Sequence, residues 1–252
     1  MSSQLFNKLA EAQHPRTLGQ LNDRTAFSRP VFHGDEPVNY ARVPIKLGGT
    51  ELVLPDYLQQ FEEFAMRSLV DYTRKSAQHD YKQAKATLYF SQRRLDPGQF
   101  SLATNVHMDI DLESAVRGNM AHGQIYVASD VSDITTRVYT NPFDIDANSV
   151  KHLQGASLQE HFEAELTRQC TRNESFDPQA YELVNFADTQ PHVARSLTDR
   201  SVDRTFVFII FTQDQIVNHR LDNIRALEDM NEDLFFWMVE REMKRAQRNM
   251  EL

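Results

Sequence analysis

Between Ala86 and Thr212 the chain holds a series of short stretches rich in β-branched and aromatic residues. These are Ala86–Leu95, Gln99–Met108, Gln124–Ser129, Thr135–Thr140, Glu182–Phe186 and Arg204–Thr212. Their connections are irregular in length and composition, which suits a small barrel or jelly roll better than an array of βαβ units. The turn Asp96-Pro97-Gly98 predicts a hairpin joining the first two stretches. One connection, from Thr140 to Glu182, carries a helical pattern over Leu158 to Cys170.

Helices flank this β-rich region and make the chain mixed α/β. Leu58, Phe61, Phe64, Ala65, Leu69 and Tyr72 recur at helical spacing between Pro55 and Gln78. A second stripe (Ile224, Leu227, Met230, Leu234, Phe235 and Met238) predicts a C-terminal helix over 223–252. Residues 1–50 hold a short helical pattern at Leu5 to Ala12 and then turn-rich sequence, so they are expected to form an arm or a cover over a site. The whole of 1–252 is expected to be one domain with its β core at 86–212.

Composition narrows the function. The net charge of −9 argues against a chain that grips a phosphate backbone. Cys170 is the single cysteine, which excludes an intrachain disulfide and any multi-cysteine metal site. The first residues lack a secretory hydrophobic core, and no apolar run approaches about 18 residues. A cytoplasmic protein without membrane contact is therefore expected; the apolar helix stripes fit intrachain packing or a homodimer equally well.

The chemistry concentrates in His107-Met108-Asp109, His192 and Arg204. Alternation along a strand places His107 and Asp109 on one face and Met108 on the other. His192 lies before the last strand stretch, where a jelly roll brings it near the first two. Two imidazoles and one carboxylate hold non-haem iron(II) with coordination positions left open, although the same set also holds zinc. Arg204 heads the apolar run Thr205–Phe211 and shares a face with Phe206, Phe208 and Ile210. A guanidinium there needs either a ligand carboxylate or an ion pair within the protein.

This set resembles the signature of the iron(II)- and 2-oxoglutarate-dependent oxygenases over about residues 86 to 212. The resemblance implies a double-stranded β-helix of jelly-roll, cupin-like form. It implies His107, Asp109 and His192 as iron ligands and Arg204 as anchor for the C5 carboxylate of 2-oxoglutarate. The cosubstrate is then expected to chelate the metal through its C1 carboxylate and C2 keto oxygen. With Asp109 present, hydroxylation of an unactivated C–H bond, or another oxidation, is expected rather than halogenation, with O2 consumed and succinate and CO2 released.

Further residues are candidates for the pocket. Asn105, two residues before His107, and Tyr126 are expected on the cosubstrate side; Arg137 and Tyr139 are expected to meet the substrate. A small polar metabolite such as an amino acid is the expected substrate, and nucleic acid is not expected. Two other classes remain open: a cupin-like metal enzyme that does not use 2-oxoglutarate, and a non-enzymatic β-barrel interaction domain.

Overall fold

The computed structural model describes residues 4–11, 14–46, 49, 51–75, 83–97, 105–110, 112–116, 123–132, 136–170, 174–195 and 200–212. The predicted helix over 223–252 lies outside them.

In chain order the first elements are α1 (Gln4–Leu9), β1 (Arg16–Gln20), a small hairpin of β2 (Phe32–His33) and β3 (Glu36–Pro37), β4 (Tyr40–Lys46), α2 (Glu62–Lys75) and β5 (Lys85–Leu95). There follow α3 (Leu112–Val116), β6 (Gln124–Ser129), β7 (Thr136–Tyr139), α4 (Ala147–Val150) and α5 (Gly155–Gln169). The last are β8 (Ser175–Phe176), β9 (Glu182–Ala187), β10 (His192–Ala194) and β11 (Val202–Thr212). Short 3-10 turns at Arg24–Phe27 and Asp56–Phe61 complete the frame.

The strands form two principal sheets. The large one has the order β1-β9-β6-β11-β5-β4, the small one β10-β7-β8, and the pairings in both are antiparallel. This two-sheet antiparallel arrangement, with helices outside, is the jelly-roll form that the strand pattern predicts.

β11 organises the large sheet because its apolar run is covered on both faces. It pairs with β5 from Val202 to Thr212 and with β6 from Phe206 to Phe211. Tyr72 of α2 stacks on Phe211 at 4.7 Å, and Phe211 meets Tyr126 edge-on. Phe61 packs on Phe90 of β5 on that same side. On the opposite face Ile125, Val127, Val184, Phe186, Phe206 and Ile210 form an apolar cluster that includes Val138 of the small sheet. The alternation of β11 is thus divided between a helix-covered side and a side turned toward the small sheet.

α5 closes the outer face of the small sheet. Its Leu158, Phe162 and Leu166 recur at i, i+4 and i+8 and bury against Val106, Met108, Tyr139 and Phe143. The side chain of Met108 is therefore committed to this core, as alternation with its two neighbours predicts.

The second arm of the predicted hairpin, Gln99–Met108, lies for the most part outside the described residues; the described neighbours of β5 are β4 and β11. Within residues 1–50, β1 and β4 are the two edge strands of the large sheet. Pro44 disguised β4, because proline reads as a strand breaker but is tolerated on an edge. Beneath that disguise Ala41, Val43 and Ile45 alternate inward.

Candidate metal centre

His107 and His192 meet as a backbone pair. The N–H of each donates to the carbonyl of the other at 2.9 Å, which fixes them as directly opposed residues on antiparallel segments. Opposed side chains project from the same face, and the two ring centroids lie 4.4 Å apart. Asp109, two residues beyond His107, returns to that face. Its Oδ2 lies 3.5 Å from His192 Nε2. One ligand atom from each of the three residues falls within 4.8 Å of the others. Donors at facial positions around a metal with bonds of about 2.1 Å stand about 3 Å apart, so modest side-chain rotation closes the set.

The ring nitrogens are already sorted. His107 Nδ1 lies 2.9 Å from the Asn105 carbonyl, and His192 Nδ1 lies 3.0 Å from that of Gln190. A carbonyl only accepts, so each Nδ1 carries its proton and each Nε2 keeps a lone pair for a metal.

Electrostatics separate the two histidines. Burial and the neighbouring His192 lower the His107 pKa. Burial also disfavours the charged form of His192, but the hydrogen bond and charge of Asp109 outweigh it and raise its pKa. The His192 side chain is nearly enclosed, whereas that of Asp109 keeps 23% exposure. His192 therefore sits deep in the site and Asp109 at its mouth.

The triad opens on a cavity of about 400 Å3, counting the part that communicates with solvent. Ile125, Val127, Phe186, Phe206 and Phe208 of the large sheet line one side, and Thr136 and Ala194 of the small sheet line the other. A mostly apolar hollow with a few convergent polar groups is the usual form of a small-molecule site.

Arg204 lies on the cavity-facing side of β11, two residues from Phe206. Its guanidinium carbon stands 4.4 Å from the centre of the Phe206 ring. The residue is 5% exposed, and Nε is buried without a hydrogen-bond partner among the described residues. Burial lowers its pKa to about 9, opposed by the charge of Asp130. Asp130 itself accepts the Thr205 N–H at 2.9 Å, and burial pushes its pKa up to about 6.

The remaining candidates fall elsewhere. Tyr126 points to the far side of the large sheet, fully buried, where its hydroxyl donates to Asp71 Oδ2 at 3.0 Å. Arg137 and Tyr139 occupy the outer face of β7, because Thr136 of that strand lines the cavity and Val138 joins the apolar cluster beside it. Arg137 makes two hydrogen bonds to Asp177, at 2.7 and 2.6 Å, and Tyr139 joins the core under α5. The Asn105 side chain donates to Glu163 of α5 at 3.1 Å; its carbonyl, not its amide, serves the site. For Tyr126, Arg137 and Tyr139 the period-two alternation was evident, but the sequence did not say which parity faces inward. The carbonyls of Asn105 and Gln190 leave no signature in side-chain identity.

No protein-family model matches the sequence, and no curated protein matches it. Solved structures give remote likenesses. EvdO2 of Micromonospora carbonacea var. aurantiaca, in complex with 2-oxoglutarate, is 12% identical with a TM-score of 0.41 over 84% of this chain and 91% of its own. HygX of Streptomyces hygroscopicus, with nickel and 2-oxoglutarate bound, is 10% identical with a TM-score of 0.42 over 85% and 88%. An oxidoreductase of the 2OG-Fe(II) oxygenase family from Burkholderia pseudomallei is 12% identical with a TM-score of 0.36 over 74% and 73%. Likenesses this remote carry no argument about what the chain does, which rests on its own residues. The triad that carries the resemblance to the iron(II)- and 2-oxoglutarate-dependent oxygenases, His107, Asp109 and His192, comes together in the lining of the cavity between the two sheets.

Proposed function

We propose that this chain is an iron(II)- and 2-oxoglutarate-dependent oxygenase that hydroxylates a C–H bond of a small polar metabolite. The observation that carries the reading is the convergence of His107, Asp109 and His192, with both Nδ1 atoms turned to backbone carbonyls and away from the shared ligand position, on a cavity whose wall strand also bears Arg204.

The donor set fits the metal: two neutral imidazoles and one carboxylate are the ligands of facial iron(II) sites. Arg204 fits the cosubstrate, since a buried guanidinium with an unsatisfied Nε calls for an anionic acceptor. His107, His192 and Asp109 would hold iron(II), and Arg204 would take the distal carboxylate of 2-oxoglutarate. The apolar walls from Ile125, Val127, Phe206 and Phe208 would flank its methylene carbons and limit water. Bound together, metal and cosubstrate supply the oxidising power, converting O2 and 2-oxoglutarate to succinate and CO2 while one oxygen atom enters the substrate. The chain's own tasks are to fix both groups and place the target bond.

The net charge of −9 disfavours nucleic acid, and a small metabolite such as a free amino acid is the substrate class of this reading. Arg137 is held by Asp177 on the outer face and does not serve as the substrate's carboxylate partner in this reading. The test is succinate release from 2-oxoglutarate under air with iron(II), run across a panel of amino acids and related acids. Stimulated release that disappears in Asp109→Ala supports the proposal. A folded, iron-loaded protein that releases none with any member, and does not bind 2-oxoglutarate, contradicts it.

A further inference from the structure

Two of the three triad residues hold each other, because His107 and His192 share both backbone hydrogen bonds of their pair. Asp109 is held differently. Its N–H donates to the carbonyl of Asp188 at 3.1 Å, and Asp188 is fastened twice to Gly123. The Asp188 N–H donates to the Gly123 carbonyl at 3.3 Å, and its Oδ2 accepts the Gly123 N–H at 2.6 Å.

This contact is buried and charge-assisted, so it is directional as well as strong. It also requires that position 123 carry no side chain. A Cβ on Gly123 would lie 2.5 Å from Asp188 Oδ2 and 3.0 Å from its Cγ, closer than such atoms approach without displacement. Gly123 leads directly into β6, an interior strand of the large sheet, whereas His192 belongs to β10 of the small one. The triad thus draws its imidazole pair from the small sheet and ties its carboxylate to the large sheet through Asp188.

We propose that Asp188, seated against Gly123, is a positioning residue that sets the reach of the Asp109 carboxylate toward a bound metal. The inference rests on the metal-site reading above. Its reason is mechanical: the Asp109 side chain is short, so its donor atom goes where the backbone puts it. The backbone in turn hangs on the Asp188 carbonyl.

The experiment is a cobalt(II) titration of the apoprotein followed by visible d–d absorption, with thermal melting of the same samples. Gly123→Ala is expected to bind cobalt(II) roughly 10- to 100-fold more weakly and to show an altered absorption envelope. Its apoprotein should melt within a few degrees of wild type. Asp188→Asn, which keeps the shape and an acceptor for the Gly123 N–H, should retain most of the affinity, and Asp188→Ala should fall with Gly123→Ala. If Gly123→Ala does not fold, the contrast between Asp188→Ala and Asp188→Asn decides. Wild-type affinity and spectrum in folded Gly123→Ala or Asp188→Ala overturn the positioning role. Failure of folded wild type to bind cobalt(II) overturns the metal-site reading instead, and the positioning role with it.

Discussion

His107 and His192 are directly opposed across an antiparallel pair, and each donates its N–H to the other's carbonyl at 2.9 Å. Residues far apart in sequence are thereby locked face to face by groups that every residue possesses, while their imidazoles remain free for chemistry.

Because that pair is made of backbone, His107→Ala and His192→Ala should both keep the fold. Each removes one ligand, and metal affinity should fall by at least roughly 100-fold, beyond the loss expected from removing an outer hydrogen-bond partner. Circular dichroism checks the fold and iron(II) titration checks the site. Near-normal affinity in either variant removes that histidine from the ligand set.

Asp109 holds the His192 pKa above the ordinary 6.5. A metal needs the imidazole neutral, so as pH falls, occupancy should begin to drop on the alkaline side of 6.5. In the apoprotein the sign reverses. A raised folded pKa gives stability that is fully present below the unfolded value and lost as pH rises through the folded one. Asp109→Asn should therefore lower the His192 pKa in an NMR titration of the apoprotein; an unchanged value refutes the pairing.

Arg204 combines burial with an unsatisfied Nε, which costs the apoprotein stability. Arg204→Met removes that unsatisfied charge, but it also takes from Asp130 the positive charge that opposes the burial of its carboxyl. The two effects oppose each other, so the variant should melt within a few degrees of wild type without ligand. Added 2-oxoglutarate with an inert divalent metal should raise the melting temperature of wild type and not of the variant. A variant that is destabilised yet still responds to 2-oxoglutarate excludes Arg204 as the anchor.

Tyr126 gives the converse test. Its hydroxyl meets Asp71 on the helix-covered side of the large sheet. Tyr126→Phe should cost about 1–3 kcal/mol through the loss of a buried hydrogen bond to a carboxylate, which keeps its ion pair with Arg16, with metal and cosubstrate affinities unchanged. A selective loss of 2-oxoglutarate affinity at normal stability would return Tyr126 to the pocket.

These residues also mark how far the sequence could be read. Apolar runs such as Thr205–Phe211 announce buried strands, and the alternation of Arg204, Phe206, Phe208 and Ile210 against Thr205, Val207 and Ile209 is the observed division of faces. His107 and Asp109 share a face for the same reason. Alternation does not reveal which parity of a short strand turns inward, and Arg137 and Tyr139 went to the wrong side on that account. β1 and β4 were hidden by their edge positions, where Gly19 and Pro44 are tolerated and β1 is largely exposed. The tie from Asp109 through Asp188 to Gly123 depends on backbone groups meeting across three segments, and residue identity does not encode that meeting locally.

The most direct test of the central claim is an anaerobic visible-absorption titration of the apoprotein with iron(II) and then 2-oxoglutarate, in wild type and Asp109→Ala. Wild type should show a weak charge-transfer band that needs both iron(II) and 2-oxoglutarate and is lost in the variant. Iron binding without such a band, or without any affinity for 2-oxoglutarate, in a folded sample would contradict the oxygenase assignment.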